Sequence, residues 1–161
     1  MVFIGVDPGK DGAIALLDGE RARALLCPAP VDDARNLIDP GPVLEFLAGA
    51  EVTAACVEEV GAMPGNGGCS MFSFGLNCGA WDMLCRMQGW SVSYVRPRAW
   101  MREILSEETR GDGKDKPSVG YVRRQYPELD LAPGRRRVPQ DGITDAVCIA
   151  EYARAKWEGW A

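Results

Sequence analysis

Histidine is absent from the 161 residues of this chain. Its absence excludes Ser-His and Cys-His nucleophilic catalysis, and it also excludes any metal site built on imidazole ligands. Acid–base or metal chemistry in this protein must therefore come from carboxylates and lysines.

The chain also lacks a CxxC pair and a long hydrophobic run. Its six cysteines are scattered, mostly within apolar stretches, which indicates reduced, buried thiols in a cytosolic protein, not a disulfide framework or a zinc site. No apolar run approaches the ~18 residues of a membrane span, and no basic segment followed by an apolar core opens the chain. A soluble, cytoplasmic protein is expected. With 47% hydrophobic residues, the chain is long enough for one domain with a core and hardly for two.

The charge is unevenly distributed along the chain. The net charge is −5, yet residues 91–140 carry 11 basic and 7 acidic side chains. Each arginine of this segment, taken singly, is typical of a solvated surface. Together they favour a phosphate-binding face beside an acidic site.

Short apolar runs separated by Pro-Gly and Asp-Gly turns predict a meander of three strands, followed by alternating helices and strands. The strands are predicted over 2–7, 13–18, 22–27, 52–60 and 90–95, and the helices over 41–50, 69–89, 97–105, 116–128 and 141–160. This order predicts an α/β fold with a mixed sheet.

Four acidic positions follow from this layout. Asp7 ends the first strand, Glu58 or Glu59 ends the fourth, and Asp141 and Asp145 share one face of the last helix. Converging carboxylates repel one another unless a cation lies among them, and Mg²⁺ is the natural occupant of such an oxygen-rich site. Taken singly, these residues have simpler interpretations as a turn residue, a helix cap and a solvated strand end.

Five stretches of the sequence together resemble the RuvC-like Holliday junction resolvases, in particular the bacteriophage-type branch, of the ribonuclease H-like superfamily. They are "IGVDPGKDGAIALL", "VEEVGAMPGNGGCSMFSFGLNCGAW", "VRPRAWM", "GDGKDKPS" and "DGITDAVCIAEYAR", in this order and over nearly the whole chain. The resemblance implies a five-stranded ribonuclease H-like mixed sheet flanked by helices, a single RuvC-like nuclease domain over 1–161, and a homodimer. It also implies cleavage of four-way DNA junctions with two metal ions per active site, Mg²⁺ or, as a substitute, Mn²⁺, in the cytoplasm of a bacterial or phage-infected cell.

By position, the resemblance makes Asp7, Glu58 and Asp145 metal-binding acids, with Asp141 as the fourth. The choice of Glu58 over Glu59 depends on the resemblance alone. In cellular RuvC the last two acids are three residues apart, whereas here they are four apart, so Asp141 departs from the family pattern. Either Lys114 or Lys116 resembles the family's lysine near the scissile phosphate, and the sequence leaves open which of the two acts there.

The stretch 61–75 combines glycines with aromatic side chains directly after the acidic strand end. Phe72 and Phe74 are predicted to stack on or wedge between bases, an interaction of ~1–3 kcal/mol per base, although core packing explains Phe74 equally well. Gly75 and Gly79 would allow close helix approach across a two-fold interface. The predicted phosphate contacts are Arg96, Arg98, Arg135, Arg136 and Arg137.

Other functions share parts of this pattern. An actin-type ATPase uses a similar strand–turn–strand but needs two such lobes. A flap-type or broader branched-DNA nuclease, or a ribonuclease H acting on hybrids, would use the same acids. A non-catalytic DNA-binding member of the superfamily would be expected to lack one of the acids, and all four are present.

Overall fold

The computed structural model of the protein describes residues 1–28, 37–59, 61, 67–106 and 116–159. The described residues contain five strands: β1 (Val2–Asp7), β2 (Ala13–Asp18), β3 (Arg21–Leu26), β4 (Val52–Glu58) and β5 (Ser91–Val95). They also contain five helices: α1 (Pro40–Phe46), α2 (Gly68–Met87), α3 (Pro97–Ile104), α4 (Pro117–Gln125) and α5 (Asp141–Glu158).

The strands form one mixed sheet in the order β3-β2-β1-β4-β5. The first three strands are an antiparallel meander, whereas β4 and β5 run parallel to β1. This is the α/β fold with a five-stranded mixed sheet that the sequence predicts. Because β1, β4 and β5 are parallel, their carboxyl ends lie at one edge of the sheet.

Helices cover both faces of the sheet. Alternate residues of β1 face opposite sides, so Phe3 packs with α3, α4 and α5, whereas Ile4 and Val6 pack with α1 and α2. Both layers are tightly packed, and α5 lies so close to β1 that a Cβ on Gly5 would come within 2.1 Å of the Ala146 carbonyl oxygen. Only a glycine at this position of β1 allows that approach.

Several element boundaries differ from the sequence prediction. Helix α1 ends at Phe46, four residues early, because the chain turns there and passes through Gly49 at φ 77°. Strand β4 ends at Glu58, and α4 ends at Gln125. The predicted extension of β4 to Val60 falls on a residue outside the described ones.

The cysteines are free thiols, as expected, but their burial varies. Cys56, Cys85 and Cys148 are buried and Cys27 and Cys78 are half-buried, whereas Cys69 at the start of α2 is exposed, so the expectation of buried thiols does not hold for Cys69. Among the described residues, no helix has both the length and the apolar character needed to cross a bilayer.

Candidate active site at the carboxyl edge of the sheet

Asp7 is the last residue of β1, and the turn that follows fixes its carboxylate. The backbone N–H of Gly9 donates a hydrogen bond of 3.0 Å to Asp7 Oδ1, and the N–H of Gly12 closes the turn on the Gly9 carbonyl at 3.0 Å. A Cβ on Gly12 would lie 2.2 Å from the Asp7 carbonyl oxygen. The Pro-Gly turn and Gly12 therefore let β2 return beside Asp7 without displacing it.

Glu58 ends the neighbouring parallel strand. Val57 pairs with Val6 in the sheet, so Glu58 and Asp7 leave the same edge side by side. The Glu58 carboxylate accepts a hydrogen bond of 2.7 Å from the indole N–H of Trp100.

Glu59 lies outside this group. Its side chain is 58% exposed and forms an ion pair of 3.5 Å with Arg96. The structure therefore separates the two glutamates that the strand pattern left undecided, and it places Glu58 beside Asp7.

Helix α5 brings Asp145 to the same edge. A Cβ on Gly142 would lie 2.2 Å from the Asp11 carbonyl oxygen, so the first turn of α5 rests directly on the β1–β2 turn. Asp145 follows one turn later, half-buried and next to Asp7. Glycines at positions 5, 12 and 142 thus set how closely the helix and the two strands approach.

Lys116 and Asp141 form the solvent-exposed side of the site. The Lys116 Nζ atom lies 2.6 Å from Asp141 Oδ2, and both side chains are about half exposed. Lys116 immediately precedes α4, and the next buried polar residue, Ser118, shares a hydrogen bond with Thr144 of α5. This contact holds the start of α4 against α5. Lys114 lies outside the described residues.

The carboxylates influence one another electrostatically. Burial raises the pKa of Asp7 to about 6, and the charges of Asp145 and Asp11 add to the rise, whereas the Gly9 N–H and Lys116 oppose it. An ionised Asp7 is therefore unfavourable unless a cation compensates it.

The pKa of Glu58 is also raised. Burial raises its pKa to about 7, with Asp7 and Asp145 adding to the rise and the hydrogen bond from Trp100 opposing it. Burial likewise raises the pKa of Asp145. Three carboxylates from three separate elements therefore share one region of unfavourable negative charge.

Lys116 is the described cation that acts on all three carboxylates. Burial opposes its protonation, yet the hydrogen bond to Asp141 and the charges of Asp145, Asp141 and Asp7 raise the pKa of Lys116 above its ordinary value. The ammonium group thus compensates part of the negative charge at this edge.

The donor set suits a hard divalent cation. Among the described residues, no three carboxylate or thiol side chains lie close enough together to hold a metal ion without rearrangement. Mg²⁺, however, requires only one or two carboxylates and completes its shell with water and substrate phosphate oxygens. Carboxylate oxygens of this kind come from Asp7, Glu58 and Asp145, which are half-buried and repel one another. These residues therefore suit the Mg²⁺ site that the sequence predicts.

A cleft of about 300 Å³ lies beside Asp145. Lys116, Ser118 and Asp145 form its polar side, and apolar walls come from Trp100, Met101, Leu105 and Pro117. The cleft therefore gives a polar ligand access to Asp145 and Lys116 from the α3–α4 side.

The predicted DNA contacts lie around this edge and along α2. Phe72 is 67% exposed, whereas Phe74 is half-buried, so stacking is available to the first without rearrangement. The basic side chains Arg96, Arg98, Arg135, Arg136 and Arg137 are all exposed. Arg136 is held in its loop by hydrogen bonds to the Gln140 side chain and the Pro133 carbonyl.

Comparison with known proteins supplies a fold match. No protein-family model matches the chain, and no curated protein matches it. The structure of T. thermophilus RuvC in complex with a Holliday junction substrate has a TM-score of 0.66 and 20% identity, covering 99% of this chain and 96% of that one. The chain has the RuvC fold. A further Thermus thermophilus RuvC structure gives a TM-score of 0.60 at 20% identity, over 93% of this chain and 91% of that one. The ribonuclease H-like fold predicted from the motifs is thereby confirmed.

Two residues that support the candidate site were not predicted from the sequence. Trp100 carries no sequence signal for its hydrogen bond to Glu58, which depends on the tertiary placement of α3. Asn77 is buried on α2, where its side-chain amide donates to the Pro8 carbonyl at 3.1 Å and accepts from the Ile38 N–H at 3.0 Å. A lone amide in the apolar stretch "MFSFGLNCGAW" could have been found, because a buried polar side chain needs partners.

Proposed function

We propose that the protein is a metal-dependent endonuclease that resolves four-way DNA junctions by paired phosphodiester hydrolysis. The observation that carries the proposal is the convergence of Asp7, Glu58 and Asp145, each with a raised pKa, at the carboxyl edge of a RuvC-type sheet. A similar T. thermophilus RuvC is known in complex with a Holliday junction substrate. The proposal places this activity in the cytoplasm of a bacterial or phage-infected cell.

The acids would act together as metal ligands. Asp7, Glu58 and Asp145 would together hold two Mg²⁺ or Mn²⁺ ions, with the more exposed Asp141 as a fourth acid at the rim of the site. When bound, such ions activate a water molecule and stabilise both the attacking and the leaving oxygens of an in-line displacement. The burial of the carboxylates keeps them fixed before the substrate arrives.

Lys116 has a separate role in this proposal. Its side chain lines the cleft, and its ammonium group is already paired with Asp141 at 2.6 Å. A phosphate oxygen entering the cleft would meet this positive charge next to Asp145. Lys116 therefore orients the phosphodiester and offsets charge that develops on it.

Binding to DNA requires a positive surface, which this acidic protein provides locally. Arg96 and Arg98 follow β5 at the same edge as the acids, and the run Arg135–Arg137 lies in the loop that leads into α5. These exposed arginines would follow the phosphate backbone, and Phe72 would stack on an exposed base at the junction.

Paired cleavage requires two active sites, and each chain supplies one set of acids. We therefore propose a homodimer, with the exposed face of α2 as its interface. Phe72, which is assigned to the DNA, is left outside this interface. Met83 and Met87 are 58% and 76% exposed on this helix, and a Cβ at Gly75 or Gly79 would meet no atom within 4 Å. A second copy covering this face would remove those large apolar side chains from water.

A cleavage assay on a mobile four-way junction, with duplex, flap and RNA–DNA hybrid controls, tests the proposal with and without Mg²⁺. Asp7→Asn, Glu58→Gln and Asp145→Asn should each abolish cleavage while preserving the fold and metal-free junction binding. Glu59→Gln is the matched control, because Glu59 is the exposed neighbour of Glu58 and should retain activity.

Each alternative predicts a different pattern in that assay. Cleavage of flaps at the same rate as junctions would favour a broader branched-DNA nuclease, and hybrid cleavage would favour a ribonuclease H. Junction binding without any cleavage would favour a non-catalytic DNA-binding member of the superfamily. Cleavage that survives loss of any one of the three acids would contradict the role assigned to that acid.

A further inference from the structure

Trp100 is the residue of α3 that is fully withdrawn from solvent, with 0% exposure. Its indole N–H has one polar contact among the described residues, the 2.7 Å hydrogen bond to Glu58 Oε1. A tryptophan side chain can only donate, so this bond is directed from the core towards the carboxylate. The 2.7 Å distance lies at the short end of the range for an N–H···O hydrogen bond.

The strand register explains why this contact forms. Glu58 pairs with Val95 at the end of β5, and α3 begins two residues later at Pro97. The helix therefore starts beside the end of β4, and its first turn carries Trp100 to the Glu58 side chain. Trp100 also packs with Val95, Val119 and Val122 in the core layer under α5, which fixes the orientation of the ring.

Glu58 needs such an anchor more than Asp7 does. The Asp7 carboxylate is short and is held by the backbone N–H of Gly9, whereas glutamate has a longer side chain with an additional rotatable bond. Repulsion from Asp7 and Asp145 favours rotamers that carry the Glu58 carboxylate away from the site. A hydrogen bond to Oε1 opposes this rotation and leaves Oε2 available to a cation.

We propose that Trp100 is a positioning residue that holds Glu58 in its metal-binding rotamer through the indole N–H, in addition to filling the core. The inference extends the proposed function, because the rotamer it selects is the one required by a metal-dependent nuclease. The hydrogen bond itself is a property of the metal-free protein and can be measured without any cleavage.

Trp81 provides a matched control for the packing contribution. It is also a fully buried tryptophan, on the opposite face of the sheet, and its indole N–H makes no hydrogen bond of ordinary geometry to a described residue. Burial raises the pKa of Cys27 to about 12, with Asp7 adding to the rise and the Trp81 indole opposing it, so a thiol lies close to the Trp81 indole. Trp81→Phe and Trp100→Phe both shrink a buried indole, but only the second removes a donor from an acid.

The first measurement is the ¹H–¹⁵N spectrum of the full-length chain without metal. The chain has five tryptophans, and the indole signal that disappears in Trp100→Phe identifies Trp100. In Glu58→Gln this signal should move, because its charged acceptor is lost, whereas it should stay in place in Glu59→Gln. An unchanged Trp100 signal in Glu58→Gln would overturn the proposal.

The second measurement is a calorimetric titration with MnCl₂ in the absence of DNA. Loss of a hydrogen bond to a metal ligand typically reduces metal affinity by about 10- to 100-fold, so Trp100→Phe should bind Mn²⁺ that much more weakly than the parent, and Trp81→Phe should bind it equally well. Equal Mn²⁺ affinity in both tryptophan variants and the parent would overturn the proposal. If Trp100→Phe does not fold, replacement of Trp100 by 3-benzothienylalanine keeps the ring shape, removes the N–H and decides the question in the same titration.

These outcomes separate the inference from the proposed function. A parent chain that binds Mn²⁺ in a Trp100-dependent way but cuts no junction supports the positioning role and contradicts the nuclease. A parent chain that binds no Mn²⁺ contradicts both.

Discussion

Gly142→Ala tests how the helix that carries Asp145 is held at the sheet. The added methyl group would lie 2.2 Å from the Asp11 carbonyl oxygen and 2.6 Å from Gly12 Cα, and both neighbours are backbone atoms. Neither atom can rotate away, so the first turn of α5 must retreat by about 1 Å to restore ordinary contact. We expect the free energy of unfolding to fall by about 1–3 kcal/mol, although alanine is favoured over glycine within a helix by ~1 kcal/mol.

The displacement also moves Asp145, one turn along α5, relative to Asp7 and Glu58. A misplacement of this size at a reacting site can reduce the rate by about 100-fold, so junction cleavage should fall by that factor. Chemical denaturation and single-turnover cleavage measure the two effects. Gly68→Ala at the start of α2, where a Cβ meets nothing within 4 Å, is the control and should not lose stability. Equal stability and activity of the two variants would refute the packing argument.

Three further predictions concern charge and assembly. Asp7→Asn should raise the free energy of unfolding of the metal-free protein by about 1–3 kcal/mol, because the pKa of Asp7 is raised to about 6 in the folded state. In thermal melts this gain should be complete above pH 6 and vanish below about pH 4. A gain of equal size at every pH would contradict the assignment of the effect to the Asp7 charge. Replacing Arg135, Arg136 and Arg137 with alanine should flatten the slope of log junction affinity against log salt concentration, which is about −0.9 per neutralised phosphate. Phe72→Ala should instead slow junction cleavage and leave this slope unchanged, because base stacking releases no counterions. If the triple variant kept the parental slope, the three arginines would belong to a solvated loop that does not contact DNA. Light scattering should give a dimer mass, and a monomer both free and on a junction would favour a nicking enzyme.

Local pattern was sufficient to predict most of the fold. Strands β1 and β2 have the predicted bounds because alternating or continuous apolar runs end at Pro-Gly and Asp-Gly turns. The end of α1 was predicted too late, because apolar residues continue to Ala50 while the chain turns at Gly49. There the backbone conformation at a glycine overrode the helical spacing.

The candidate site was less predictable than the fold. Strand alternation could not distinguish Glu58 from Glu59, because the alternation of faces is no longer enforced once the strand ends. What separates them is tertiary: Trp100 contacts the first, and Arg96 pairs with the second in solvent. The same holds for Lys116, whose place among the acids depends on α4 packing against α5 and leaves no trace in local sequence.

The buried acids of the site lower the free energy of unfolding of the metal-free protein, whereas the close packing around them raises it. Burial raises the pKa values of Asp7 and Glu58, so their ionised forms cost stability in the metal-free protein. Close glycine contacts at positions 5, 12 and 142 nevertheless hold α5 and the two strands together. Neutralising an acid should therefore raise stability while abolishing cleavage, and crowding a glycine should lower both. Because a purely structural acid would instead lose stability on neutralisation, the sign of the stability change at Asp7 distinguishes a functional carboxylate from a structural one.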